Sequence, residues 1–476
     1  MQGPTTRPAT EPGPPAPRGP AFGAATATFV VISSMVGTGV LTTSGYTVYF
    51  AGSNQWMLIL WVVGGLVATC GALSLCELSA ALPKSGGDYV YLSEAYGPLA
   101  GFLSGWVSFL IGFGGPIAVS ASAASRYALA PLRLEGPTAA LAQRGLATAA
   151  ILAFAAVHIS GRGRTIRVQG GITVVKLGIL GLLAAAGLVA GRGHWANLDD
   201  RTPLTPGLLV TLASSFVYVS YAYTGWNAAS YLAGEVKQPQ KMLPRAILFG
   251  TGLVLGLYLA LNIFYALALS AADVRGIVES PANRMPAGEK VNVVAPIAQL
   301  AAERLFGARV SNPLSVAIGL TLLASVSAYV LTGPRVAYAM ALAGQFPSLA
   351  GRLSPRFETP AAATVLQVAW SLALLWSAKL DQIMVYSGVG LASFSMLTVG
   401  SVIVLRVRRP DLPRPFRTPG YPAVPALYLI GTALFIAAVF HDRRDEARYS
   451  LGSILAGVPV YYLWVAFRGR SSPGVK

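Results

Sequence analysis

Charge is what this sequence has least of. Asp, Glu, Lys and Arg together make up 11% of its 476 residues, about half of what a water-soluble domain carries. A soluble globular fold is excluded on that ground. Cysteine and histidine are scarcer still. The two cysteines, Cys70 and Cys76, lie in one apolar run, so neither a disulfide framework nor a metal site follows from them. Of three histidines only His158 falls in an apolar run, which argues against a membrane haem held by histidines of facing helices. We expect no cofactor, no metal and no enzymatic activity.

No cleavable leader is expected either. The first twenty residues, MQGPTTRPATEPGPPAPRGP, are rich in proline and hold no apolar core. They read as a disordered tail (1–21), and the first apolar run must itself direct insertion. Acidic residues are the scarcer sign of charge, 18 against 35 basic, for a net +17 and a pI near 10.0. In a soluble protein that surplus points to nucleic acid. In a chain this apolar, basic residues gather in cytoplasmic loops instead, and no nucleic-acid partner is expected.

What the sequence has in quantity is apolar length. Hydrophobic residues reach 54% and the mean hydropathy is +0.59. Runs of about 20 residues, enough to cross a bilayer, recur from end to end. They predict an all-α polytopic membrane protein with twelve transmembrane helices. We place these at roughly 22–50, 55–82, 98–128, 145–161, 168–190, 208–233, 245–270, 312–342, 361–378, 382–405, 420–440 and 450–467. Short basic loops such as GRGRTIR (161–167) fall on the side of the N-terminus and set the orientation. Both termini, including the tail 468–476, are therefore expected in the cytoplasm, with the protein in the cell (cytoplasmic or inner) membrane. The segment NVVAPIAQLAAERLF (292–306) is too short to span. It reads as a helix lying over the outer mouth, or as a plain surface helix.

Within the first run, ISSMVGTGVLTTSG (32–45) puts Gly37, Gly39 and Gly45 where a plain membrane helix has no use for them. Each costs about 1 kcal/mol relative to alanine in a helix. Five spans later, SYAYTGWNAASYLAGE (220–235) sets Gly225 between Thr224 and Asn227 in mid-membrane. A lone glycine there is usually a packing glycine. Matched interruptions opening two five-span halves point instead to a carrier built from inverted repeats. A broken helix offers N–H groups that suit a carboxylate and carbonyls that suit an ammonium. A zwitterionic amino acid presents both, and exposed backbone at that depth is tolerated only around a cavity.

The stretches MVGTGVLTTSGY, GALSLCELSAALPKSGGDYVYLSEAYGPLAGFLSGW (71–106) and YAYTGWNAASYLAGEVKQPQKMLPRAI (221–247) resemble the amino acid–polyamine–organocation transporter superfamily. The prokaryotic relatives of the L-type amino acid transporters match best. The resemblance covers residues 22–467 and is most specific on spans one to three and six. It implies a five-plus-five inverted repeat, 22–193 and 208–406, two additional C-terminal helices in 420–467, and alternating access around a midplane site. It also implies roles. The N–H groups of Thr38 and Gly39 would take the substrate carboxylate, with Gly37 allowing the turn. The carbonyls of Met35, Tyr221 and Thr224, beside Gly225, would take the amine, and Tyr221 would be the gate over the substrate. Asn227 stands where members handling cationic substrates carry a glutamate, which argues for neutral amino acids. The family's ARDG after span eight is here ALAG (341–344), without the charge pair. The loop 129–144 has no cysteine, so no disulfide-linked heavy chain is expected.

Other residues carry two readings each. Lys176, inside span five, marks function by default or snorkels to the cytoplasmic surface. In the resembling family it stands where sodium-coupled relatives bind an ion between spans one and eight, so it is our candidate coupling residue. A proton is the possible coupling ion. Ser325 and Ser327 of span eight are expected to face it, or else to back-bond to their own helix. Arg335 reads as a snorkelling anchor, Phe113–Pro116 as a kink, and Glu77 and Asp88 as structural. Arg406, Arg408 and Arg409 read as topology determinants. Secondary active transport of small or medium neutral amino acids is the function expected, with an obligatory exchanger or a cationic amino acid or polyamine transporter as alternatives. A nutrient sensor that binds without transporting is the rival from another class.

Overall fold

The computed structural model describes residues 22–189, 193–200, 202–283, 285, 290–377, 380–442 and 444–470. The tail expected over 1–21 and the last residues of 468–476 lie outside the described residues. The chain is all-α, its β-contact among the described residues being one isolated bridge between Phe22 and Val236. Among the described residues, ten helices are long and apolar enough to cross a membrane: Ala24–Ala51, Asn54–Ala81, Pro98–Leu132, Gly136–Ile159, Arg162–Val189, Pro239–Ala268, Ala308–Leu342, Ser387–Arg408, Ala423–His441 and Ala447–Phe467. Two shorter apolar helices, Pro206–Ala222 and Ala361–Ser377, fall where spans six and nine are expected. We number these helical segments one to twelve in chain order. The face that carries Phe22 is called proximal below, and the opposite face distal.

Boundaries follow local chemistry. Segment two starts where Ser53 accepts from Trp56 N, and segment six where Thr205 accepts from Leu208 N ahead of Pro206. Both are N-caps that satisfy an orphan donor. Segment four begins nine residues before the expected 145, because GPTAALAQRG continues the helix as an exposed polar turn. Hydropathy does not register such an extension. Segment twelve likewise runs back into the charged stretch from Arg444.

Elements five apart in sequence pack together. Segment two lies along seven, and three lies along eight. The second half of segment one lies along the first half of six. Segments ten and eleven close the remaining side against two, three and six. Distally, the helix Ile297–Phe306 packs on segments one, seven and eight. Tyr46 of segment one donates to Asn292 Oδ1 at its approach.

The expected kink in segment three is a π-helical turn, Ser108–Phe113, ahead of Pro116. The widened turn frees carbonyls that buried structure must satisfy. Gln367 donates to Phe109 O (3.0 Å), Trp370 to Leu110 O (2.7 Å) and Ser387 to Ile111 O (3.3 Å). Segments nine and ten thus hold the bulge that swings Phe113 edge-on to Tyr231 of segment six, 5.1 Å between ring centres.

Candidate functional site

Segment one stops being helical at Met35. Gly37 N turns back to Met35 O (2.9 Å), and the helix resumes at Gly39. Segment six stops at Ala222, Thr224 N closing a turn on Tyr221 O (3.1 Å). Gly225 then takes φ +102°, a left-handed conformation that side chains rarely adopt. The segment continues as the 3₁₀ helix Ala228–Glu235. The two breaks meet. A Cβ on Gly39 would lie 2.6 Å from Ala222 Cα, and one on Gly225 2.8 Å from the Ser34 carbonyl. Tyr258 of segment seven bridges them, its hydroxyl 2.7 Å from Met35 O and 3.1 Å from Ala222 O. Trp61 and Tyr223 pack around that phenol, with ring centres 5.1 to 5.6 Å apart.

The expected amine ligands are partly committed already. Met35 O accepts from Tyr258, and Tyr221 O accepts from Thr224 N and Thr224 Oγ1 (2.8 Å). Thr38 and Gly39 open the second half-helix of segment one, the position where N–H groups lack intrahelical acceptors. The expected anion contact has its donors there.

Lys176 is fully buried, and its ammonium reaches segment one. It donates to Ser33 O (3.2 Å), to Val36 O and to Ser325 Oγ (2.8 Å). Ser325 in turn donates to Val36 O (2.9 Å). Three oxygens surround this nitrogen, as many as an ammonium has N–H groups to donate. The ammonium therefore ties segments five and eight to the carbonyls at the break. Ser327 does not join it. Its hydroxyl donates to Gln169 Oε1 (2.7 Å) and meets His158 Nε2 (3.0 Å). Two residues along a helix turn a side chain by some 200°, so both serines cannot face one lysine.

A cavity opens beside the break in segment six. Ser34, Phe113, Tyr221, Gly225, Asn227 and Tyr329 line it. Gly37, Thr38 and Gly39 are not among its lining residues, and the Tyr221 phenol meets the Thr38 side chain. Asn227 is not a free neutral group in this pocket. Its amide donates to Asp88 Oδ2 (3.0 Å) and lies 3.2 Å from the Tyr231 hydroxyl, which also donates to Asp88 Oδ2 (3.0 Å). The pocket expected to lack a carboxylate has one directly behind its amide. That correction comes from the loop after segment two, which folds under segment six.

Arg335 is no snorkelling anchor. It is buried and pairs with Glu235 through Nε (2.6 Å) and Nη2 (3.1 Å), while Arg162 reaches the same carboxylate at 3.2 Å. The backbone beside Glu235 is clamped to the start of segment one, Phe22 N to Glu235 O (2.8 Å) and Lys237 N to Phe22 O (3.0 Å). Segments one, five, six and eight thus close together at the proximal face. The sequence signal for this cluster was one acid, Glu235, amid many arginines. Arg406 also has a specific partner, forking onto Glu77 at 2.8 and 2.6 Å. Thr418 N donates to the same carboxylate (2.8 Å).

An all-helical bundle with two helices broken face to face, and a cavity beside the break in segment six, has the form of a polytopic membrane carrier. The chain belongs to the amino acid permease family, whose model matches residues 22–464. It is an amino acid transporter of the amino acid–polyamine–organocation superfamily and not an enzyme. It is 32% identical over 459 residues to the mouse large neutral amino acids transporter small subunit 2, covering 94% of this chain and 82% of that one. It is 30% identical to the mouse Asc-type amino acid transporter 1, over 94% of this chain and 82% of the other. With the Pongo abelii cystine/glutamate transporter it shares 27% identity over 92% and 83% of the two chains.

Proposed function

We propose that this protein carries small or medium neutral amino acids across the cytoplasmic membrane by alternating access, with its proximal face and both termini in the cytoplasm. One observation carries the reading: the breaks in segments one and six lie against each other. Their helix ends offer a site for carboxylate and amine together. Tyr221, which lines the cavity and meets the Thr38 side chain, acts in this reading as the lid. The packing of two on seven and three on eight supports two five-segment repeats, 22–193 and 208–406, with 420–467 added outside them.

Lys176 acts in this reading as a fixed cation. Its ammonium takes the place of a bound metal ion and holds segment one's freed carbonyls, so no sodium is required. The neutral preference rests on two supports, the uncharged amide that Asn227 presents at the cavity and the name of the mouse large neutral amino acids transporter small subunit 2. Both cysteines lie in segment two, so the carrier works without a disulfide-linked partner. The test is a thermal-shift panel on purified protein with neutral, cationic, acidic and polyamine ligands. Stabilisation by neutral amino acids alone is expected. Stabilisation by arginine or a polyamine but not by alanine, serine or leucine overturns the substrate class.

A further inference from the structure

Asp88 opens the short helix Asp88–Tyr96 after segment two, and it is 3% exposed. Its Oδ2 holds the two donors from segment six, Asn227 and Tyr231. Its Oδ1 is buried with no hydrogen-bond partner among the described residues. The hydroxyl of Thr398 on segment ten, unpartnered too, lies alongside. No basic side chain among the described residues pairs with Asp88. The cations at this face are committed elsewhere: Arg406 and Arg414 to Glu77, Lys84 and Arg409 to Glu94, Arg335 to Glu235. The titratable groups facing Asp88 carry no positive charge. They are Tyr91 on its own helix, Tyr231 from segment six and Tyr428 from segment eleven, with Cys76 of segment two behind Tyr91.

A buried carboxylate without a cation resolves its cost by taking a proton. Two routes reach this one. Asn227 and Tyr231 line the cavity on one side. On the other, the loop 82–87 meets solvent through Lys84, and it is latched to segment six. Gly86 N donates to Tyr231 O (3.3 Å), and Gly234 N to Ser85 Oγ (3.0 Å).

We propose that Asp88 is a proton-binding site that loads through the cavity and releases its proton when the proximal face opens. In the closed state the proton sits on Oδ1 and is donated to Thr398 Oγ1, while Oδ2 keeps its two donors. Opening pulls segment six off the 82–87 loop, hydrates the carboxyl and lets it ionise. Substrate movement and proton release then share one event. The consequence for transport rests on the reading above; the proton site itself does not. Burial pushes the Asp88 carboxyl up to about 6, within reach of ordinary pH changes.

Infrared difference spectra of the purified full chain, titrated between about pH 5 and pH 8, test the site. A carboxylic C=O band from a buried acid is expected, with a midpoint near 6 and absent from Asp88→Asn. That amide is a neutral near-isostere, and its melting temperature reports whether it folds. In proteoliposomes Asp88→Asn is expected to keep counterflow of labelled alanine and to lose accumulation driven by an inward proton gradient. Absence of the band, its survival in the variant, gradient-driven accumulation by the variant, or indifference of the wild type to the gradient each overturns the proposal. A wild-type protein with no counterflow rejects transport instead, and the infrared titration still decides the site.

Discussion

Gly225 and Ser34 touch backbone to backbone: a Cβ on the glycine would stand 2.8 Å from the Ser34 carbonyl carbon and oxygen. The contact joins the break in segment six to that in segment one, at a φ of +102°. Gly225→Ala meets both the close approach and the left-handed backbone, a combination that costs about 1–3 kcal/mol. The expected result is at least a tenfold loss of uptake (about 1.4 kcal/mol) at normal expression. Wild-type uptake by this variant would remove the break from the mechanism.

Gly39→Val fails for a related reason. The built Cβ already falls 2.6 Å from Ala222 Cα, and valine adds two methyl groups beside the expected carboxylate donors. Loss of ligand-induced thermal stabilisation is expected. Retention of that stabilisation would place the carboxylate elsewhere.

Lys176→Ala removes the charge that holds Ser33 O, Val36 O and Ser325 Oγ together. These oxygens form a nest suited to a hard cation. Uptake is expected to fall severely, with partial recovery at high external sodium. Full activity without sodium would show that the ammonium has no part in holding the break.

Removing Arg335 strands Glu235, whose side chain is 12% exposed, with Arg162 as its remaining cation. Breaking one partner of a buried ion pair costs about 3–5 kcal/mol, and the surviving Arg162 softens this toward the lower end. Arg335→Ala is expected to lower the melting temperature and to shift the carrier toward an open proximal face. Labelling of a cysteine placed at Phe22 reads that shift. Unchanged labelling would show that the network is not a closure.

Tyr231→Phe removes one of the two donors to Asp88 Oδ2. A hydrogen bond to the charged form favours it, so its loss moves the carboxyl further above about 6. Protonation then begins at higher pH, and the pH profile of uptake is expected to shift to the alkaline side. An acid shift would contradict the assignment.

The sequence made some of this legible and hid the rest for definite reasons. Apolar runs and the paired glycines located the helices and both breaks, because unwinding a helix in lipid leaves a local mark. Lys176 was legible for the same reason, as a charge at depth. Its partner Ser325 and the outlier Ser327 were not separable by type, since helical phase decides which faces the lysine. Arg335 with Glu235, and Asp88 with Asn227, join residues 100 and 139 positions apart. No spacing rule links them; the packing of segment six against the loop after segment two does.

Counterflow in proteoliposomes tests the central claim most directly. Liposomes holding the purified protein are loaded with unlabelled alanine and diluted into trace labelled alanine, with Gly39→Val as control. The account predicts a transient overshoot of label inside wild-type vesicles and none in the variant. A protein that binds alanine in the thermal-shift panel yet gives no overshoot would be a sensor, and the account of transport would be wrong.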